Sequence, residues 1–558
     1  MPTHPRASTV TTLALGLGLA LAGAAAPRPA QACGATFCDG GPAPMPVEQT
    51  GEVILFVIDD GYVEAHIQIE YDPKTRAQQF AWVVPVTALP EFYVGSQPLM
   101  ANLLAGSVPA HGLGSWSEPC GFDGCDDTGG SDDDEVAKLD LGQGEGPPDA
   151  PEVVLATSVG AFDVFVLDGG TVAGVMQWLG DNGFDQDPAA EPILEAYLAE
   201  GHLFVAFRLA TKADAAQVHP ITLRYPGSEP CVPIRLTRIA AQDDMEIRAL
   251  FLSDNRVASS NYRHVTLNPL KLDWLSSGAN YRELVSRAVD EPGADGHAFV
   301  TEYAGSSAVV RHEGISDSRW DPDAFAQAMT SAEAAELLLD QALVGYDLQG
   351  DGACGARHPL VEGLVAQYLP TPPEVPLSIL CDDLGSFVGA VDPTAWDAAG
   401  FAADMTERIV EPGARALALL DTWPVLTRLY TTLSPHEMTE DPMFHATPEL
   451  PEQTARVQVG TRNSFCDGQV SFTLPDGRLV AMESFGSWPD IAPEQMPWAQ
   501  TVEYLPARGA PVVEVDNRDL IASLLDEWNA VVGPPPARID SRRLAGRGPS
   551  LVISTSIA

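Results

Sequence analysis

The side chains whose type and spacing best suit them to chemistry are the eight cysteines, at 33, 38, 120, 125, 231, 354, 381 and 466. Two pairs share the spacing C-x4-C: Cys33 with Cys38, and Cys120 with Cys125. Such pairs either close as disulfides in an oxidising compartment or, as thiolates, hold a metal such as zinc. Disulfides are the expectation here, because these pairs lack the basic and aromatic surroundings of zinc ribbons. Gly121 and Gly124 allow a tight Cys120–Cys125 loop. Cys354–Cys381 is the next expected bridge, joining two segments of the helical region.

Clustered oxygens offer a second chemistry, the binding of a hard cation. Asp347-Leu348-Gln349-Gly350-Asp351-Gly352 begins like a calcium loop, so Asp347 and Asp351 are candidate ligands. The twelfth position, however, is His358 where such a loop needs Glu. Asp132 and Asp134, inside the acidic run 126–135, form another candidate calcium pair, and residues 181–187 a third cluster. Each is also what a solvated turn looks like. His66, on the polar face of an expected strand, is a candidate ligand or an ordinary exposed histidine.

Familiar catalytic motifs are missing. The chain has no G-x-S-x-G elbow, no S-x-x-K, no Gly-Lys pair for a phosphate loop and no H-E-x-x-H. His436-Glu437-Met438-Thr439-Glu440 comes nearest to the last, but it follows Ser434-Pro435 and reads as a helix cap with Glu437 in the first turn. No catalytic residue is assigned, and no cofactor other than calcium is expected.

These groups must be positioned by elements that the apolar pattern foretells. Val53 to Ile58 is a continuous apolar run, Asp60-Gly61 a turn, and 63–71 alternates Val63, Ala65, Ile67 with Glu64, His66, Gln68. The spacing predicts a hairpin whose second strand is half-buried. Further strands are expected at 80–86, 153–156, 162–167, 203–209, 221–225, 232–239 and 245–252, with helices at 97–104, 171–179 and 193–199. Residues 106–150, Gly-rich and acidic, read as a solvated loop insertion. After about residue 275 the period becomes helical, at 281–289, 324–343, 358–368, 401–409 and 414–420. A hairpin turning at Pro475-Asp476-Gly477 and a helix carrying Leu520, Ile521, Leu524, Leu525 and Trp528 finish the chain.

The fold expected is α+β. Residues 33–275 form a sheet-rich domain with hairpins and a few helices, 276–450 a mostly helical region, and 451–558 a hairpin-plus-helix segment. Residues 1–32 read as a secretory leader. Arg6 precedes an apolar stretch of about 17 residues from Val10 to Ala26, too short for a bilayer span, and Ala30-Gln31-Ala32 supplies small residues for cleavage before Cys33. A lipidated Cys33 is the alternative, although it would strand one cysteine of an even set. The net charge of −46 repels nucleic acid and anionic lipid and attracts basic partners. No apolar run long enough to span a membrane follows the leader, so a periplasmic, cell-surface or extracellular protein is expected.

Several local sequences together carry a family resemblance. They are Ala32-Cys33-Gly34 with Phe37-Cys38, Phe80-Ala81-Trp82-Val83-Val84-Pro85-Val86, Phe162-Asp163-Val164-Phe165-Val166-Leu167, Pro233-Ile234-Arg235-Leu236-Thr237, and Leu426 to Pro435 followed by Glu437-Met438-Thr439 and Asp441-Pro442. As a set, across most of 33–450, they resemble the DUF2330 family of exported bacterial proteins. The resemblance implies export and a shared fold, and no activity. Read physically, the motifs are structural: aromatics for a core and prolines that end strands. Two functions follow as expectations. One is a non-enzymatic envelope or extracellular protein that binds a partner or serves structurally. The other is a secreted hydrolase whose site is assembled only in the fold.

Overall fold

In the computed structural model, the described residues are 36–37, 49–59, 61–71, 81–118, 151–184, 187–210, 218–239, 241–347, 352–483 and 486–533. The expected hairpin is present. Gln49–Asp59 pairs antiparallel with Tyr62–Tyr71, and Gly61 takes the turn at φ 80°, a backbone region where an L side chain is strained. This hairpin lies inside a ten-stranded mixed sheet. In spatial order its strands are Val512–Asp516, Ala499–Tyr504, Arg263–Leu267, Ala298–Ser306, Val425–Leu433, Ala241–Ser253, Gln49–Asp59, Tyr62–Tyr71, Ile221–Pro226 and Glu91–Val94.

The apolar run of Gln49–Asp59 is buried on both sides, as continuous runs in covered sheets are. Ile54 and Phe56 face a core shared with a second, five-stranded sheet, to which Trp82, Val84, Phe162, Val164 and Phe207 contribute. Trp82 stacks on Phe207 at 4.2 Å and meets Phe162 edge-on at 5.7 Å, so the most distinctive motif of the sequence is a core element. Val53, Leu55 and Val57 face the other way, against helices Gln97–Ser107 and Glu411–Thr422. Helices Val172–Asp181 and Glu191–Ala199 cover the outer face of the five-stranded sheet.

Within the sheet-rich part of the chain three expectations are corrected. The polar side of Tyr62–Tyr71 is not solvated: Glu64 and His66 are buried, because helix Glu411–Thr422 lies over them and supplies Arg415. Alternation alone does not reveal a second layer. Residues 232–239 are not a strand. Pro230 and Pro233 remove ladder donors, and Ile234–Thr237 closes instead into a helical turn, with Arg238 N–H donating to the Ile234 carbonyl at 2.9 Å. Within 106–150, Ala110–Ser117 is a strand rather than loop, parallel to Val457–Ser464 in a four-stranded sheet. Its glycines suggested a loop, but Gly112 is where Val459 packs: a Cβ there would stand 3.2 Å from Val459 Cγ2.

The region 276–450 mixes helices with two inner strands of the central sheet, Ala298–Ser306 and Val425–Leu433. The expected helix 324–343 is two helices, Pro322–Gln327 and Ser331–Asp340. Thr330 interrupts the run and caps the second, its Oγ1 accepting from Glu333 N–H at 3.2 Å. Around them gathers a separate core with Phe325, Leu338, Leu364, Phe387 and Phe401. The Cys354–Cys381 disulfide is present, tying strand Cys354–Ala356 to helix Ile379–Asp382 with Cα atoms 6.1 Å apart. At the C-terminal end, hairpin Val470–Thr473/Leu479–Met482 and helix Arg518–Val532 share a core. Among the described residues no helix is long and apolar enough to cross a membrane.

The disulfide closes a loop of sequence separation 27. Replacing both partners (Cys354→Ala with Cys381→Ala) is expected to lower stability by about 3 kcal/mol in a denaturant titration under oxidising conditions. An unchanged midpoint would contradict it.

Candidate functional site

Two of the family-like motifs meet at one place. The helical turn that replaces the expected strand at 232–239 presents Arg235, and the segment after Val425–Leu433 brings in Asp441. Asp441 Oδ1 accepts from the Arg235 backbone N–H at 2.9 Å. Its Oδ2 accepts from Arg235 Nε at 3.0 Å and from the Tyr197 hydroxyl at 2.7 Å. The other guanidinium nitrogens donate to both Glu200 oxygens, at 2.8 and 2.6 Å, and the guanidinium lies 4.1 Å from the centre of the Tyr197 ring.

Backbone contacts fix the segment that carries Asp441. Asn261 donates to the Asp441 carbonyl and accepts from Met443 N–H, the Tyr262 hydroxyl donates to the Glu440 carbonyl, and Val232 N–H donates to the Pro442 carbonyl. The segment begins as a turn, and the helix expected after Ser434-Pro435 does not form. The capping contact does: Glu437 Oε2 accepts from Ser434 N–H at 2.6 Å, the return half of a capping box.

Electrostatics hold this cluster in one charge state. Glu200, aided by Asp441, keeps Arg235 more firmly protonated than usual, while Arg235 in turn lowers the Glu200 carboxyl. Burial, reinforced by Asp441, pushes up both the Tyr197 phenol and the Cys231 thiol. Cys231 is the free cysteine among the described residues. Because the thiolate is the nucleophile, a buried thiol of raised pKa is inert at neutral pH. Beside the cluster opens a cleft of about 430 Å³, lined by Thr87, His202, Glu229, Cys231 and Glu440 together with Arg235. On the other side of Arg235 lies a groove of about 660 Å³ between Ile193 and Ala196 of helix Glu191–Ala199 and Pro435-His436.

A second cluster sits under helix Glu411–Thr422. Thr222 Oγ1 lies 2.9 Å from His66 Nδ1, and His66 Nε2 lies 3.0 Å from Glu64 Oε1. The order hydroxyl, imidazole, carboxylate is that of acyl-transfer triads. Yet Thr222 is 0 %, His66 2 % and Glu64 6 % exposed, so a substrate has no approach. Arg415 grips both Glu64 oxygens, at 2.8 and 2.6 Å, and stacks on Tyr93. The row fastens helix to sheet. Burial alone would raise the Glu64 pKa, but the hydrogen bonds from Arg415 and His66 outweigh it and hold the carboxyl at about 2.

The candidate residues of the sequence are distributed as follows. Cys354 and Cys381 are bonded. Cys33, Cys38, Cys120, Cys125, Asp132, Asp134 and Asp351 lie outside the described residues. Asp347 has Arg357 Nη1 3.9 Å from its carboxylate, and its N–H donates to the Ala353 carbonyl. Asn182 and Gly183 end helix Val172–Asp181 in the manner expected of a helix stop, with Gly183 at φ 84°. His66 is a buried hydrogen-bonding partner and does not reach solvent. Among the described residues no group of three or more His, Cys, Asp or Glu is placed to hold a metal ion. Sequence reasoning quoted Arg235 and Asp441 only within motifs and missed Tyr197 and Glu200. No local signal joins positions 244 residues apart such as Tyr197 and Asp441.

With this geometry in view, the comparisons define the class. Residues 27–341 match the DUF2330 family, described as an uncharacterized protein conserved in bacteria. The match takes in more than half of the chain, and the chain belongs to that family. No curated protein and no solved structure matches it.

Two predictions concern the buried carboxyls. Arg415→Ala removes the bidentate partner of buried Glu64, leaving it His66 at 3.0 Å and Arg224 at 4.0 Å, and is expected to cost about 2–3 kcal/mol at pH 7 in a urea titration. The Glu64 pKa falls from 4.5 to about 2 on folding, so its stabilising share is present above 4.5 and lost as pH drops toward 2. The cost of the variant should therefore shrink over that range, and a pH-independent cost would contradict the pairing. Glu52 behaves oppositely. Burial first, then Asp441, raises its pKa from 4.5 to about 7, and its Oε2 has no hydrogen-bond partner. The neutral acid favours the fold, so this share is complete below 4.5 and lost as pH rises through about 7. Glu52→Gln should match the wild type at pH 4 and exceed it at pH 8 by up to about 3 kcal/mol. Equal stabilities at pH 8 would contradict the raised pKa.

Proposed function

We propose that this protein is exported and acts outside the cytoplasm by binding, as an envelope or extracellular protein, and not by catalysis. The observation that carries the reading is the state of the Arg235–Asp441 cluster. Its arginine is saturated by two carboxylates, its thiol and phenol are held protonated, and a cleft remains open beside it. Such a site recognises shape and charge but offers no poised nucleophile or base. Glu200, Glu229, Glu440 and Asp441 around the lone Arg235 make the cleft acidic, and the −46 net charge draws in basic partners at long range. Export is supported by the leader-like residues 1–32 and by the Cys354–Cys381 bridge, which suits an oxidising compartment. The hydrolase reading loses its best geometric support because Thr222 is inaccessible.

The test joins fractionation with an activity screen. Full-length chain expressed in a bacterial host should appear outside the cytoplasm, begin at Cys33 by mass, and carry the Cys354–Cys381 link. It should leave a panel of ester, peptide and glycoside substrates unchanged. Cytoplasmic chain with residues 1–32 attached and both thiols free would overturn export. Turnover abolished by Cys231→Ala or Thr222→Val would overturn the binding role.

A further inference from the structure

The groove of about 660 Å³ beside Arg235 lies within the size range of small-molecule sites. Three segments wall it. Helix Glu191–Ala199 presents Pro192, Ile193 and Ala196. The chain leaving the turn Ile234–Thr237 presents Arg238 and Ile239, and the chain leaving strand Val425–Leu433 presents Pro435 and His436.

The charge of this lining runs against the composition of the chain. The sequence has 77 acidic residues against 31 Lys and Arg, yet two arginines and no Asp or Glu line the groove. Arg235 is already spent on Glu200 and Asp441. Arg238 is exposed, and among the described residues its guanidinium has neither an ion pair nor a hydrogen-bond acceptor. The exposed His436 ring is likewise without a partner among the described residues, and it carries an N–H donor in either charge state. The carboxylates nearby are occupied or face elsewhere. Glu437 accepts from Ser434 N–H, Asp187 accepts from Ala189 N–H, and Glu440 lines the cleft on the opposite side of Arg235. Glu191 and Glu195 are exposed on the same helix but do not line the groove.

The apolar part of the lining is aliphatic, and no aromatic side chain belongs to it. A flat ring finds no face to stack on there, whereas a flexible alkyl chain gains with each CH₂ taken out of water. A guanidinium with free N–H groups matches both oxygens of a carboxylate. We propose that this groove binds a free linear aliphatic carboxylate, the chemistry of a medium-chain fatty acid. Arg238 and His436 hold its head, and its chain lies along helix Glu191–Ala199. The net charge of −46 opposes any anion at long range, so a preference for a charged head over a neutral one comes only from these local groups. This inference goes beyond the role proposed above and rests neither on export nor on the acidic cleft.

The test is isothermal titration of full-length protein with octanoate, octanol and butanoate in about 0.15 M salt. Octanoate should bind with a Kd of about 1 mM or tighter. Octanol, with the same chain and no charge, should bind at least about threefold more weakly, and butanoate at least about tenfold more weakly. Arg238→Gln, at an exposed position, should weaken octanoate about fivefold and leave octanol unchanged. Ala196→Asp, which places a carboxylate on the wall, should abolish octanoate binding and decides the matter if Arg238→Gln does not fold. Glu229→Gln, in the acidic cleft, should leave octanoate affinity as it is. Absence of octanoate binding at about 10 mM would overturn the proposal. So would octanol binding as tightly as octanoate, unchanged affinity in Arg238→Gln, or a loss in Glu229→Gln, which would put the ligand in the cleft instead.

Discussion

The constraint on which this structure depends is that its central sheet is covered on both faces, so a charge in the inner strands must either find a partner inside the protein or, like Glu52, be driven toward its neutral form. A buried charge without one costs several kcal/mol. Three arginines answer this demand at three places. Arg428 meets Glu302 between neighbouring inner strands, Arg415 descends from a helix onto Glu64, and Arg235 reaches Asp441 where the two sheets adjoin. Each joins segments far apart in sequence, by 126, 351 and 206 residues. These pairs set which layer lies over which strand, a task that apolar packing alone specifies poorly.

This constraint also shapes how much could be read from the sequence. Features with a local cause were legible: the Gly61 hairpin, the doubly buried run of Gln49–Asp59, the Pro475–Gly477 turn, the helix stop at Asn182-Gly183 and the apolar face of Arg518–Val532. The Cys354–Cys381 bridge was legible too. Features set by distant chain were not. The alternation of Tyr62–Tyr71 is the same whether solvent or a helix lies above Glu64 and His66. Val425–Leu433 carries Thr427, Arg428, Thr431 and Thr432, a polar content that hides an inner strand until Glu302 is seen beside it. The glycines of Ala110–Ser117 signal a loop until Val459 is found packed against one of them.

The same logic bears on function. Clusters that resemble chemistry on inspection of residue types, Thr222-His66-Glu64 above all, prove to be ties between layers, with their lone pairs and protons occupied and water excluded. What remains open lies at the margins of this locked interior, as at the acidic cleft beside Arg235.

The most direct test of this account is a double-mutant cycle at the buried Arg428–Glu302 pair, followed by equilibrium unfolding. Arg428→Met and Glu302→Leu should each destabilise by about 3–5 kcal/mol, because each leaves one charge buried alone, while the double variant should recover most of the loss. Single variants that cost less than about 1 kcal/mol, or a double variant whose loss is the simple sum, would contradict the claim that paired charges inside a covered sheet hold its layers in place.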